Sequence, residues 1–310
     1  MHLLIPHACA LAEACHHTLS DLDLPVLSQL LARMAVVERS EGDEYSYSPP
    51  HERALAAALG LAGPDGGVPW AAYWAQRDGI APGDLAWGLL TPAHWHVGTD
   101  QVSMLDPQAL QLDAAQSREI LEAVHFLFES EGWALAYGAP TRWYAAHESL
   151  ADLPTASPDR VIGRNVDAWM PDHPQARLVR RLQNEVQMLL YTHEVNDRRA
   201  ERGLLPVNSF WLSGCGLAQP AAEPPDLVVD ERLRAGLLTG DWAAWADAWR
   251  ELERGPLADA LAAQHRGERV RLTLCGERHA VSLETDTRGW WARWTSRRSR
   301  QAPVALLQSL

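Results

Sequence analysis

Apolar positions along the chain alternate between two periods, and the switches between them outline the fold. The opening run HLLIP, stopped by Pro6, predicts a short buried strand. Helical patterns over 8–20 and 25–36 follow, split by Asp21, Asp23 and Pro25. The polar stretch SEGDEYSYSPP (40–50) reads as a loop, HERALAAALGLAG as an Ala-rich helix closed by Gly60 and Gly63, and PDGGVP as a turn. Strands are predicted within 84–105, where AWGLL and HWHVG are separated by Thr91-Pro92. Residues 114–130 carry Ile120, Leu121, Val124 and Phe128 at helical spacing after Asp113, and WALAY with RWYAA forms a hairpin around Gly138 and Pro140.

A Pro-rich polar passage (152–174) leads into one long helix predicted over 175–201, with Leu178, Leu182, Val186 and Leu189 on a single stripe. SFWLSG is a strand and 218–226 a linker. Helices at 230–238, 241–253 and 256–265 then precede RVRLTLCGERHAVSLET, a hairpin with half-buried alternation. Strands interleaved with helices argue for an α/β architecture. The two ends, 1–64 and 217–310, form an α/β frame, and 65–216, rich in hairpins, is an inserted α+β lobe.

Composition narrows the chemistry. The net charge of −13 argues against nucleic acid and acidic membrane as partners. All 27 basic residues are Arg, which removes Lys-based Schiff-base chemistry and Lys-dependent phosphate loops. Cys9, Cys15, Cys215 and Cys275 lack CxxC spacing and read as reduced, buried thiols of a cytoplasmic protein with no membrane span. No GxSxG, HExxH, P-loop or GxGxxG occurs, so no catalytic residue is assigned.

Three clusters remain. HWH sets His94 and His96 on one face of a strand, with Asp100 as a third ligand through its carboxylate, so a metal site and a structural pair both fit. HACALAEACHH gathers His7, Cys9, Cys15, His16 and His17, read mainly as a buried Cys face with exposed His. The tail RGWWARWTSRRSR interleaves Trp290, Trp291 and Trp294 with Arg288, Arg293, Arg297, Arg298 and Arg300. It suits packing onto the sheet, docking of a protein partner, or a membrane or nucleic-acid surface.

The richest stretch is HEVNDRRAERGLLPVNSFWLSGCG (193–216). Gly203 suits a helix stop, Pro206 prevents resumption, and Asn208 opens a strand. Asn196, Arg199, Arg202, Asn208 and Trp211 could brace that turn or line a cleft for an anion. The segment resembles a signature of archaeal-type cofactor-independent phosphoglycerate mutases through His193, Val195, Asn196, Arg199, Gly203, Asn208, Trp211, Leu212, Gly214 and Gly216. GIAPGDLAWGLLT and the helix-then-hairpin from DAAQSREIL to RWYA extend the likeness over 80–216. The openings MHLLIPHA, DEYSYSPPHERALA and LTLCGE resemble a bacterial group, the RpfE-type regulatory proteins, often grouped with the mutases.

The resemblance implies an alkaline-phosphatase-like frame in which two divalent metals and a Ser nucleophile hold a phosphoryl group. Position by position the frame departs from that pattern. His7 stands where the family has a metal-ligand Asp, and the loop SEGDEYS offers Ser40 or Ser46 only in a shifted register. Leu237 stands for a His, and Cys275-Gly276 for an Asp-His pair. The expectation is a non-catalytic, phosphoglycerate-mutase-like protein that binds a small anionic metabolite or a protein partner in a regulatory role, with no cofactor. Asn196, Arg199, Arg202, Asn208 and Trp211 are its expected ligand residues. Two alternatives stand: a metal-dependent phosphatase or mutase rebuilt on His7, His94, His96 and Asp100 with Mn or Zn, and a scaffold using the Trp/Arg tail.

Overall fold

The structure is a computed structural model and describes residues 1–286 and 302–310. The Trp/Arg tail singled out above, from Arg288 to Arg300, lies outside the described residues. The chain divides into two compact units. The frame comprises Met1–Glu44, Pro49–Leu59 and Glu223–Leu310, and the lobe comprises Tyr45–Ser48 and Gly60–Ala222.

In chain order the frame begins with β1 (His2–Ile5), α1 (Glu13–Ser20), α2 (Pro25–Leu31), β2 (Met34–Ser40) and α3 (Pro50–Leu59). The lobe follows with α4 (Trp70–Arg77), β3 (Trp87–Ala93), β4 (Trp95–Val97), β5 (Val102–Met104), α5 (Ala114–Glu129), β6 (Ala134–Ala139), β7 (Arg142–Ala146), α6 (Pro158–Val161), α7 (Ala176–Tyr191), α8 (Glu194–Glu201) and β8 (Ser209–Gly216). The chain returns to the frame with β9 (Leu227–Val229), α9 (Arg234–Thr239), α10 (Trp242–Arg254), α11 (Pro256–His265), β10 (Arg271–Cys275), β11 (Ala280–Thr285) and α12 (Pro303–Gln308).

The frame sheet runs β2-β11-β10-β1-β9. β1 lies parallel to both β10 and β9, while β11 pairs antiparallel with β10 and with β2. Strict alternation sends Leu3, Ile5, Leu272, Leu274, Val281 and Leu283 to one face, into a core with Leu19, Leu27, Trp245, Trp249 and Leu257. The other face carries Leu4, Cys275 and Ala280 beneath Ala54 and Leu55 of α3. The lobe holds an antiparallel sheet, β6-β7-β3-β8, over which α5 and α7 bury Ile120, Val124, Phe128, Leu182 and Val186.

Of the elements that depart from the sequence pattern, four do so for a clear local reason. The helical pattern of 25–36 ends at Leu31, and Val36 and Val37 belong to the edge strand β2, half exposed on both faces. An edge strand lacks the buried stripe that makes alternation visible. The single helix over 175–201 is two, because the His193 side chain accepts a hydrogen bond from Val195 N and starts α8 afresh. Helix α4 was not indicated by its pattern: Trp70, Ala71, Ala72, Tyr73 and Ala75 are all buried, leaving no polar stripe to set the period. His94 falls in the break between β3 and β4, so HWH is not one continuous strand.

Candidate functional site

The residues of 193–216 are placed in the lobe as follows. Asn196 is buried; its Nδ2 donates to the carbonyls of Leu190 (2.9 Å) and Val207 (2.8 Å), and its Oδ1 accepts from Val207 N at 3.0 Å. Arg199 is fully enclosed and donates to the carbonyls of Leu205 (2.8 Å) and Leu110, and to Gln116 Oε1 at 2.5 Å. Burial lowers its pKa, an effect countered by the charge of Asp113. Asn208 exchanges both amide bonds with the Trp95 backbone, accepting from N at 2.7 Å and donating to O at 2.9 Å. Trp211 Nε1 donates to Ala156 O at 2.8 Å, and the void beside the ring is about 10 Å³, room for one water. Arg202 is exposed. Asn196, Arg199 and Asn208 thus knit α8 and the start of β8 to neighbouring backbone. The glycines ending that strand have a packing cause: Gly214 sits at φ +60°, and a Cβ there would meet Trp70 Cβ of α4 at 2.7 Å.

Of the candidate metal residues, His94 Nδ1 lies 2.8 Å from Pro206 O, and His96 and Asp100 are exposed. Among the described residues neither they nor His94 join a cluster of ligand-type side chains. His7 belongs to the frame. It follows β1 with φ +58°, unusual for a residue bearing a Cβ, and its buried ring contacts that of His51 on α3 at a centroid distance of 4.6 Å.

The carboxyl ends of the frame strands converge. Ala8 N donates to Cys275 O at 2.8 Å, and Trp245 Nε1 to His7 O at 3.1 Å. Gly42 N donates to His279 Nδ1 at 3.2 Å, while Arg278 pairs with Glu44 at 2.7 Å. Strand ends of an open α/β sheet are the usual place for a ligand. Here the seat after β10 is filled from within. Leu310 accepts through its main-chain oxygen from Arg278 N (3.0 Å) and His279 N (2.7 Å), and a Cβ on Gly276 would stand 2.5 Å from the Leu310 carbonyl carbon. Burial pushes the Cys275 thiol well above its ordinary range, keeping it neutral. The two-metal set implied by the resemblance does not fit these residues: a ligand side chain at 276 has no room, and 237 and 275 carry Leu and a neutral thiol.

Sequence reasoning missed a third feature. On the α3 face of the frame sheet lies a cavity of about 520 Å³, lined by His2, Arg53, Ala54, Ala57, Ala58, Arg271, Thr273 and Ser282 among others. His2 Nε2 and Thr273 Oγ1 are 2.9 Å apart, as are Thr273 Oγ1 and Ser282 Oγ. Burial, aided by Arg271, pushes the His2 imidazole down to about 4, so it is neutral at pH 7. The legible signal was the pair Thr273 and Ser282, polar positions flanked by Leu272, Leu274, Val281 and Leu283 in the predicted hairpin.

No protein-family model matches the chain. Over 116 residues it is 27% identical to the probable 2,3-bisphosphoglycerate-independent phosphoglycerate mutase of Geobacter sulfurreducens, a match covering 37% of this chain and 29% of that one. Two solved structures align over 92% of the chain. One is the cofactor-independent phosphoglycerate mutase of Thermoplasma acidophilum, at 16% identity, TM-score 0.38 and 90% of its length. The other is a protein of Pyrococcus horikoshii, at 13% identity, TM-score 0.39 and 87% of its length. The chain is distantly similar in sequence to phosphoglycerate mutases of the cofactor-independent type.

Proposed function

We propose that the chain is a phosphoglycerate-mutase-like protein that acts by binding a small anionic metabolite in a regulatory role, without transferring a phosphoryl group. The observation that carries this reading is the seat after β10. There Leu310 lies against Gly276, where the mutase pattern would project an Asp-His pair. Phosphoryl transfer needs fixed positive charge around the moving group, and Leu237, Cys275 and Gly276 supply none. The test is an assay of 2-/3-phosphoglycerate exchange and of phosphate release with Mn or Zn added. The expected rate is that of the blank; turnover proportional to protein overturns the reading.

A second reading is favoured by the contact between His7 and His51, together with the left-handed backbone at His7. In it the frame is a metal-dependent phosphatase or mutase built around imidazoles rather than the family's carboxylates. Neutral imidazoles suit Zn or Mn, which would polarise a phosphoryl oxygen. Stoichiometric metal in the purified protein, lost together with turnover in His51→Ala, selects this reading over the first.

A further inference from the structure

We propose that the cavity on the α3 face of the frame sheet binds an uncharged polyhydroxyl compound, a monosaccharide or a sugar alcohol. This goes beyond the anion reading and does not depend on it. At about 520 Å³ the cavity has the size of a small-molecule site. Its floor is unusual for a sheet face. Thr273 and Ser282 are almost wholly enclosed, and with His2 they form a row of hydrogen bonds, each 2.9 Å long. The row can run in two directions. With the ring hydrogen on Nε2, His2 donates to Thr273 and Thr273 to Ser282, which leaves the Ser282 hydroxyl as a donor. With that hydrogen on Nδ1, Ser282 donates to Thr273 and Thr273 to His2, which leaves Ser282 as an acceptor. Both directions need a neutral imidazole, and burial keeps His2 neutral at pH 7. Among the described residues Thr273 is the one partner of the Ser282 hydroxyl, so the end of the row is open to a ligand. An end that can donate or accept matches a ligand hydroxyl, which does both, better than a carboxylate, which only accepts.

The walls point to the same class. On α3, Ala54, Ala57 and Ala58 share a helix face and present only methyl groups. Their small size makes the room, and a smooth apolar wall suits the C–H face of a sugar ring. The charged side chains around the cavity are already engaged. Arg271 lies between Glu38 at 2.9 Å and Glu284 at 3.6 Å, and Arg53 Nη2 donates to Arg278 O at 3.2 Å. Glu38 itself lines the cavity. An anion would therefore meet a carboxylate with no cation set aside for it, whereas an uncharged ligand brings no charge to desolvate.

Calorimetric titration of the full chain with D-glucose, D-ribose, D-sorbitol and myo-inositol tests the site, with D-gluconate and glucose 6-phosphate as charged counterparts. At least one of the four neutral compounds should bind at one per chain, and both anions should bind at least about tenfold more weakly than it does. Ser282→Ala, which removes the open end of the row, and Ala58→Leu, which fills the cavity, should each weaken that binding about tenfold or more. Circular dichroism confirms the fold of each variant, and should Ala58→Leu fail to fold, Ser282→Ala decides alone. Unchanged affinity in either folded variant overturns this location. Either anion binding as tightly as the best neutral compound overturns the ligand class, and saturable binding by none of the four overturns the proposal outright. Turnover in the mutase assay would remove the non-catalytic reading and leave this site standing.

Discussion

The lobe and the frame use buried polar side chains in opposite ways. In the lobe, Asn196, Arg199, Asn208 and Trp211 direct their hydrogen bonds at main-chain groups or Gln116, and the space beside Trp211 is water-sized. In the frame, Thr273, Ser282 and His2 bond to one another beneath a cavity large enough for a metabolite. The difference teaches that a polar, motif-rich stretch and a roomy polar-lined cavity need not coincide. In the lobe those groups complete the bonding of buried backbone, a task separate from lining open space.

The comparison breaks most readily at Arg199. Arg199→Ala leaves the Leu205 and Leu110 carbonyls and Gln116 without their donor in a dry interior, and should cost about 3–5 kcal/mol. Urea unfolding would measure this, and hydrogen exchange should place the loss in the lobe; a change below about 1 kcal/mol would mean the guanidinium is free for a ligand.

Next comes Asp78, which accepts from Arg142 at 2.9 and 2.8 Å and from the Tyr144 hydroxyl at 2.6 Å. Arg142 holds the Asp78 carboxyl below its ordinary pKa. A depressed folded pKa stabilises above the unfolded value, about 3.9, and that contribution fades as pH falls through the folded value. Asp78→Asn should therefore cost about 2 kcal/mol at pH 7, and the gap to the unaltered lobe should narrow below about pH 4. A gap constant with pH would show that the ion pair is not the source.

Glu253 sharpens the contrast. In the frame it accepts from Val26 N and Leu27 N, both at 2.8 Å, yet burial raises its pKa despite those bonds. The sign is reversed from Asp78: its linkage favours the fold below the unfolded pKa, about 4.3, and is lost as pH rises through the folded value. Glu253→Gln should cost about 1 kcal/mol or less at pH 7, with a larger deficit under acid conditions in denaturant titrations. Smallest of all, Ser282→Ala should change stability by about 0.5 kcal/mol or less, because Thr273 keeps its bond to His2. A loss as large as that of Arg199→Ala would make the cavity floor a structural brace like the lobe's.

Long periodic elements were legible in the sequence. The stripe of Ile120, Leu121, Val124 and Phe128, the hairpin around Gly138 and the β10–β11 alternation each state their own period. Helix α4 and strand β2 were not, the first because its apolar residues run on without a polar stripe until Gln76 and Arg77 at its end, the second because it is an edge. Site residues were harder for a different reason. Asn196 and Arg199 could be read as ligand groups because a sequence gives the donor and not the acceptor. Thr273 and Ser282 face each other in one hairpin, but His2 and Arg53 are far from them in the chain and reach them only because β1 lies beside β10 under α3. Gly276 looked like a lost ligand, and only packing reveals that Leu310 takes its space.

The parallel pairing of β1 with β10 also sets an order of events at the ribosome. Leu3 is matched to Leu272, so the first strand leaves the exit tunnel long before its central neighbour exists. At a synthesis rate on the order of 10 residues per second it waits roughly half a minute. Every strand of the lobe is complete by Gly216 and can assemble in that interval. A nascent chain can therefore carry a complete set of lobe strands while the apolar β1 still lacks its β10 partner, an exposed strand of the kind that chaperones shield.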